Sequence, residues 1–302
     1  MKLSIVGMGR VGSAVAFASV LRGLASELVL VGEDREAVVG DALDLQHASA
    51  FVRPVNVRAG SIDDTEGSDI VVITAARSSS GGPRTNHARV NGTLVKEIAG
   101  AVAAGSPRAV VLVITNPVDV MTYVAIRAGG FAPSQVIGSG TLLDTGRFRA
   151  LLSRHSGVHT HDIRAYILGE HGDTQFPAMS VASFGGVRFD PRDPVVREMA
   201  EQARTGGYLV YQHKKYTNYG IASAAVMILN AITADTREVL PVSTLIDGYL
   251  GVRDVCLSVP CVVGRTGVVR MLPIDLDPDE SARFLESART VRNAIEQVDG
   301  LS

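Results

Sequence analysis

One histidine stands apart among the seven in the chain. His171 lies in "ILGEHGD", between glycines and acids, directly after an apolar run that reads as a strand. An imidazole moves protons near neutral pH when a carboxylate fixes its tautomer and stabilises its protonated form. Asp144, in "TLLDTGRFR", is suited to that work. Arg147 follows three residues later, on the same face of the helix that this stretch predicts. A guanidinium there can take a substrate carboxylate through a two-point contact. The three residues together allow acid/base chemistry beside a carboxylate anchor. A lone histidine is usually structural, and the Asp144 partner is what argues otherwise here. The remaining histidines show no ligand spacing with carboxylates or thiols, so no metal site is expected. His159 and His161 alternate in the polar stretch "GVHTHD" and are expected to be exposed and unmetallated.

A second chemical feature stands at the start of the chain. "GMGRVG" places Gly7, Gly9 and Gly12 between a strand and a helix. The first glycine permits a tight turn, the second lets backbone approach a pyrophosphate, and the third lets helix and strand pack closely. Dinucleotide binding follows from that placement rather than from the motif alone. The second strand should end in an acid that holds the adenosine ribose, but it ends in "LVLVGEDRE". Gly32 stands at the usual acidic position, followed by Glu33, Asp34 and Arg35. Arg35 could pair with a 2′-phosphate, and Glu33 would repel one. NAD is therefore expected, with Glu33 taking over the ribose contact, while NADP or dual use stays open.

A third stretch, "ARSSSGGPRT" at 76–85, breaks off an apolar strand with serines, glycines, a proline and arginines. Its composition fits either a slack surface connection or a moving loop that carries chemistry.

The elements that must position these residues alternate through the first half. "KLSIVGM", "SELVLVG", "VNVRAGS", "DIVVITAA", "AVVLVITN" and "QVIGSG" read as short, nearly continuous apolar strands. Helical spacing appears in "RVGSAVAFASVLRG" and "REAVVGDALDLQHA". Buried strands alternating with helices predict an α/β fold: an N-terminal Rossmann-type doubly wound parallel sheet over 1–140. From 141 to 302 the pattern predicts a mixed α+β catalytic domain. "LLDTGRFRALLSRH" reads as a helix, "VRFDPRDPVVREMAEQ" as an irregular stretch followed by a helix, and "DESARFLESARTVRNAIEQV" as an amphipathic terminal helix. "PVSTLIDGYLG" and "VCLSVPCVVG" look like antiparallel strands.

Composition sets the outer bounds. The 302 residues are 46% apolar and 20% charged, with a formal net charge of −2, an ordinary globular balance without the basic excess of a nucleic-acid binder. The apolar runs are too short to span a bilayer. "MKLSIVGMG" begins at once as a strand without a signal-peptide pattern, so a cytoplasmic location is expected. Cys256 and Cys261 are expected as core thiols rather than a disulfide.

Five motifs in order, "VGMGRVG", "ITNPVDV", "GSGTLLDTGRFR", "LGEHGD" and "YTNYGI", resemble the L-lactate/malate dehydrogenase family over nearly the whole chain, closer to its lactate branch. The resemblance implies hydride exchange between a nicotinamide cofactor and a 2-hydroxy or 2-oxo acid. It implies that His171 exchanges the proton, Asp144 orients His171, Arg147 anchors the carboxylate and Asn116 sits near nicotinamide and substrate. Gly7, Gly9, Val11, Gly12, Glu33, Thr74, Ala75, Ala76, Asn91 and Thr115 would line the cofactor. The segment 76–85 would be the lid over the substrate, with Arg84 polarising the carbonyl where water has been expelled and Gly81 and Gly82 giving hinge freedom. Ser78 and Thr217 fall at the selector positions. A small neutral pair leaves the second carboxylate of oxaloacetate desolvated and unpaired, which points to pyruvate or a somewhat larger neutral 2-oxo acid. Malate chemistry stays open through Arg77, as does a nucleotide sensor that has lost turnover. The resemblance further implies a homodimer or homotetramer. It also implies an anionic effector site for a sugar bisphosphate at a subunit interface, through Arg149 and Arg164. No nucleic-acid or membrane partner is expected.

Overall fold

The structure is a computed structural model. It describes residues 1–77 and 84–298, and for 84–87 the backbone alone. Ser78, Gly81 and Gly82 therefore lie outside the described residues, as does the side chain of Arg84.

The first half alternates as its apolar runs require: β1 (Lys2–Val6), α1 (Arg10–Arg22), β2 (Glu27–Val31), α2 (Arg35–Ala48), β3 (Asn56–Gly60), β4 (Ile70–Ile73), α3 (Arg84–Gly105), β5 (Val110–Val113), α4 (Val118–Gly129) and β6 (Val136–Gly138). These strands pair in parallel in the order β3-β2-β1-β4-β5-β6. The order reverses at β1 and β4, so the carboxyl ends of the two neighbours open a crevice where ligands bind in such sheets. Every residue of β4 and β5 is buried, which is why "IVVI" and "VVLV" show no polar alternation. Local signals set the helix ends. The Asp34 side chain accepts from Ala37 N–H at 3.1 Å to cap α2, and α1 stops at Gly23 in left-handed conformation.

The second half contains α5 (Leu142–Ser156), β7 (Ile163–Arg164), β8 (Ile167–Leu168), β9 (Phe176–Pro177), β10 (Ser183–Phe184), β11 (Val187–Arg188), α6 (Pro194–Lys214), α7 (Tyr219–Thr233), β12 (Glu238–Asp247), β13 (Arg253–Gly264), β14 (Gly267–Met271) and α8 (Pro278–Ile295). The strands read from "PVSTLIDGYLG" and "VCLSVPCVVG" are β12 and β13, paired antiparallel. They do not form a sheet of their own. β12 meets β6 at Ser243 opposite Gly138, so nine strands make one sheet running β14-β13-β12-β6-β5-β4-β1-β2-β3. The seam needs small residues: a Cβ on Gly138 would lie 2.2 Å from Thr122 Oγ1 and 2.8 Å from Ser243 Cβ. Most of the apolar core belongs to this sheet and the helices on it. A second cluster, including Phe148, Leu152, Ile163 and Val196, packs α5 against α6.

Cys256 and Cys261 are buried, unpaired thiols in β13, and burial pushes Cys261 up to about 12. Among the described residues no helix is long and apolar enough to cross a membrane, and no three metal-binding side chains gather. His159 and His161 are exposed and stack on each other, ring centroids 5.2 Å apart.

Candidate active site

The glycine turn follows β1. Gly7 has a φ of 113°, and a Cβ there would lie 2.2 Å from Ala75 N. A Cβ on Gly12 would lie 2.0 Å from Gly7 O, whereas one on Gly9 would meet nothing within 4 Å. Two of the glycines thus close the turn against β4 and α1, and the third leaves open approach to the start of α1. Gly9 caps that helix with no side-chain hydrogen bond, so no side chain competes for the first-turn N–H groups. This arrangement fits a dinucleotide diphosphate. Thr74 Oγ1 donates to Gly7 O at 2.6 Å, and Thr115 Oγ1 donates to Ala75 O at 2.7 Å, tying the ends of β4 and β5 to the turn. Asn91, 4% exposed, accepts from Arg77 N–H and donates to Asn116 O, both at 2.9 Å. Its amide thereby fixes the backbone on both sides of the crevice. Val11 is partly buried against the core, and Ala76 is exposed.

Past β2, a Cβ on Gly32 would lie 2.7 Å from Val38 Cγ2 and 3.2 Å from Met8 Cβ. An acid at this position would have to displace Val38. Asp34 is engaged in capping α2, which leaves the exposed Glu33 as the acid facing solvent at the end of the strand.

The group around His171 is assembled from three elements. Asp144, in the first turn of α5, is 2% exposed. Its Oδ2 lies 2.8 Å from His171 Nδ1, and its Oδ1 accepts from an Arg147 Nη at 2.8 Å. One buried carboxylate therefore aligns both the imidazole and the guanidinium, and among the described residues the ring Nε2 has no hydrogen-bond partner. Burial opposes the charged imidazole. The hydrogen bond and negative charge of Asp144, helped by Asp119, outweigh it and raise the pKa of His171 above its ordinary value. Arg147 lies against Gly206 and Gly207 of α6, where added Cβ atoms would come within 3.2 Å of Cδ and 3.4 Å of Nη2. Thr217 is partly buried between α6 and α7, and Asn116 is exposed at the end of the segment after β5.

Asp119, absent from the sequence reading, completes the assembly. It is 2% exposed in the first turn of α4. Its Oδ2 accepts from the backbone N–H of His171 at 2.7 Å, and its Oδ1 accepts from Ser243 Oγ at 2.6 Å. Burial lifts its pKa to about 6, against the pull of those two hydrogen bonds. The available signal was a single acid at the head of the apolar helix "VDVMTYVAI".

Arg149 and Arg164 lie apart from this group. Arg149 Nε donates to Ala165 O at 2.8 Å, and its guanidinium lies over Tyr166. Burial lowers its pKa, and the nearby charge of Arg164 lowers it further despite Tyr166. Arg164 donates to His161 O at 3.1 Å.

Comparison with known proteins bears on the whole chain. Residues 1–138 match the lactate/malate dehydrogenase NAD-binding domain, and residues 141–301 match the lactate/malate dehydrogenase α/β C-terminal domain. L-Lactate dehydrogenase of Clostridium botulinum (strain Langeland) is 38% identical, over 99% of this chain and 98% of that protein. L-Lactate dehydrogenase of Gloeobacter violaceus is 40% identical, over 99% and 93%. The crystal structure of a minor L-lactate dehydrogenase from Enterococcus mundtii, in a ligand-bound form, superposes with a TM-score of 0.95 at 31% identity, over 99% and 98% of the two chains.

Proposed function

The chain belongs to the lactate/malate dehydrogenase family, and from that premise we propose how its residues interconvert L-lactate and pyruvate. The observation that carries the proposal is the buried Asp144 carboxylate holding His171 and Arg147 at once. Arg147 anchors the carboxylate of the 2-oxo acid. His171 donates its Nε2 proton to the carbonyl oxygen during reduction and withdraws the hydroxyl proton in the reverse direction. Asp144 stabilises the imidazolium and fixes its tautomer. Asp119 holds the backbone of His171 in place. The nicotinamide cofactor, when bound, supplies or accepts the hydride. Arg84 polarises the carbonyl, Asn116 borders it, and Ser78 with Thr217 forms the neutral wall that selects pyruvate over oxaloacetate.

NAD is the proposed cofactor. The glycine turn, Val11, Thr74, Ala75, Ala76, Asn91 and Thr115 border its diphosphate and nicotinamide side. Glu33 takes the ribose, since Asp34 is already committed to capping. A cytoplasmic homodimer or homotetramer is the proposed working form. Arg149 and Arg164 repel each other and have no ion-pair partner among the described residues, which favours an anionic effector there. A bisphosphate that leaves the apparent affinity for pyruvate unchanged would remove that part.

The deciding assay is NADH oxidation with pyruvate and with oxaloacetate in parallel. Preference for pyruvate supports the neutral wall. Preference for oxaloacetate would place Arg77 or another cation opposite the second carboxylate, and binding of NADH without turnover of either acid would favour a sensor.

A further inference from the structure

Two cations that the scheme above does not use converge beside the glycine turn. Arg10 is the first residue of α1, immediately after Gly9. Its guanidinium carbon lies 4.0 Å from the ring centroid of Tyr216. Lys214, at the end of α6, places Nζ 4.4 Å from the same ring and 3.8 Å from that of Tyr219. Lys214 Nζ also donates to Asn218 Oδ1 at 2.5 Å. Among the described residues, neither Arg10 nor Lys214 has a carboxylate within ion-pair distance. Aromatic rings attract cations, but two like charges on one ring also repel each other. An anion between them and the first turn of α1 removes that repulsion and joins the N–H groups that Gly9 leaves uncapped.

We propose that Arg10 and Lys214, gathered over Tyr216, form a cationic clamp for the diphosphate of the dinucleotide. Through Tyr216 the clamp also steadies the adjacent Thr217. The proposal rests on the dinucleotide reading above. It gives two roles to a segment, Lys214–Asn218, that ends α6, leads into α7 and carries the substrate selector. With the diphosphate held, the Tyr216 ring is fixed between the glycine turn and α6. Thr217, the next residue, is then fixed against the substrate side.

Calorimetric titration of the purified chain with ADP-ribose and with adenosine tests this, because only the first carries the diphosphate. Wild type, Arg10→Ala, Arg10→Lys and Tyr216→Leu would be compared at low and moderate salt. Arg10 is exposed, so its variants should fold, as thermal unfolding will verify. Loss of a charge-assisted contact should weaken ADP-ribose roughly tenfold in Arg10→Ala, leave adenosine within about twofold, and flatten the salt dependence. Arg10→Lys should recover most of the loss. Tyr216→Leu should weaken ADP-ribose and also raise KM for the 2-oxo acid. Equal losses for both ligands would mean a purely structural clasp and would overturn the clamp, as would no loss for either. Failure of wild type to bind ADP-ribose would instead bring down the dinucleotide reading itself.

Discussion

Replacing Asp144 with Asn removes one negative charge and keeps the shape of the side chain. In the wild type that charge sits 2.8 Å from His171 Nδ1 and 2.8 Å from an Arg147 Nη, with the carboxylate 2% exposed. Two opposite charges about 4 Å apart attract by about 4 kcal/mol at an effective dielectric of about 20. The imidazole keeps 29% of its surface in contact with solvent, which trims the net effect on the imidazolium to about 3 kcal/mol. That corresponds to a loss of roughly two powers of ten in kcat/KM for pyruvate reduction. The pH profile carries an independent signature. Reduction needs the protonated imidazole, so the rate is full below the pKa of His171 and is lost as pH rises through it. Asp144 raises that pKa, so the alkaline limb should move toward acid in Asp144→Asn. KM should rise as well, because Arg147 loses the partner that aligns it. Steady-state kinetics over pH 5.5–9.5 will check all three effects. A variant with kcat/KM within about threefold of wild type and an unmoved alkaline limb would refute the argument, since that ratio is under about 1 kcal/mol.

Three further outcomes follow from close contacts in the structure. Gly206 and Gly207 occupy a helix interior without left-handed conformation, at a cost of about 1 kcal/mol each relative to alanine. Gly206→Ala/Gly207→Ala should therefore raise Tm while crowding Arg147 and raising KM for the 2-oxo acid; a higher Tm with unchanged KM would show that the glycines do not serve Arg147. Burial holds the pKa of Asp119 at about 6, so its contribution to stability is full below the unfolded value of about 3.9 and declines as pH rises through about 6, by about 3 kcal/mol in all. Asp119→Asn should lack that decline in calorimetric scans between pH 4.5 and 7, and parallel slopes for the two proteins would count against a raised pKa. Gly32→Asp should overpack Val38 and cost about 1–3 kcal/mol, whereas Gly32→Asp/Val38→Ala should recover stability and favour NAD over NADP in kcat/KM. An unchanged cofactor ratio in the double variant would mean that this position does not contact the ribose.

Some of this was legible in the sequence because the signal was local. Gly7, Gly9 and Gly12 declared the turn because two of them stand where any Cβ would strike backbone or Thr74. The parallel strands declared themselves through unbroken apolar runs, and Asp144 and Arg147 through helical spacing. Other features depend on distant parts of the chain. That β12 would join β6 rests on one meeting of Ser243 with Gly138, residues about a hundred positions apart with nothing unusual in their neighbourhoods. α6 runs through Gly206 and Gly207, a pair that propensity alone reads as a break. Only the fold shows that both lie against Arg147, on another helix. Asp119 escaped notice because an acid at a helix start is an ordinary dipole partner. Only the fold shows that it faces Ser243 and the backbone of His171.

The seam between β6 and β12 also bears on how the protein is made. β6 is complete once the ribosome passes Gly138, yet its outer edge has no partner until Ser243 emerges. At ordinary synthesis rates that gap lasts roughly five to twenty seconds. During it the nascent chain presents a buried-type apolar strand with unpaired backbone groups, the kind of edge that recruits other chains. β6 is three residues long, so it offers a stray strand little to grip before β12 arrives.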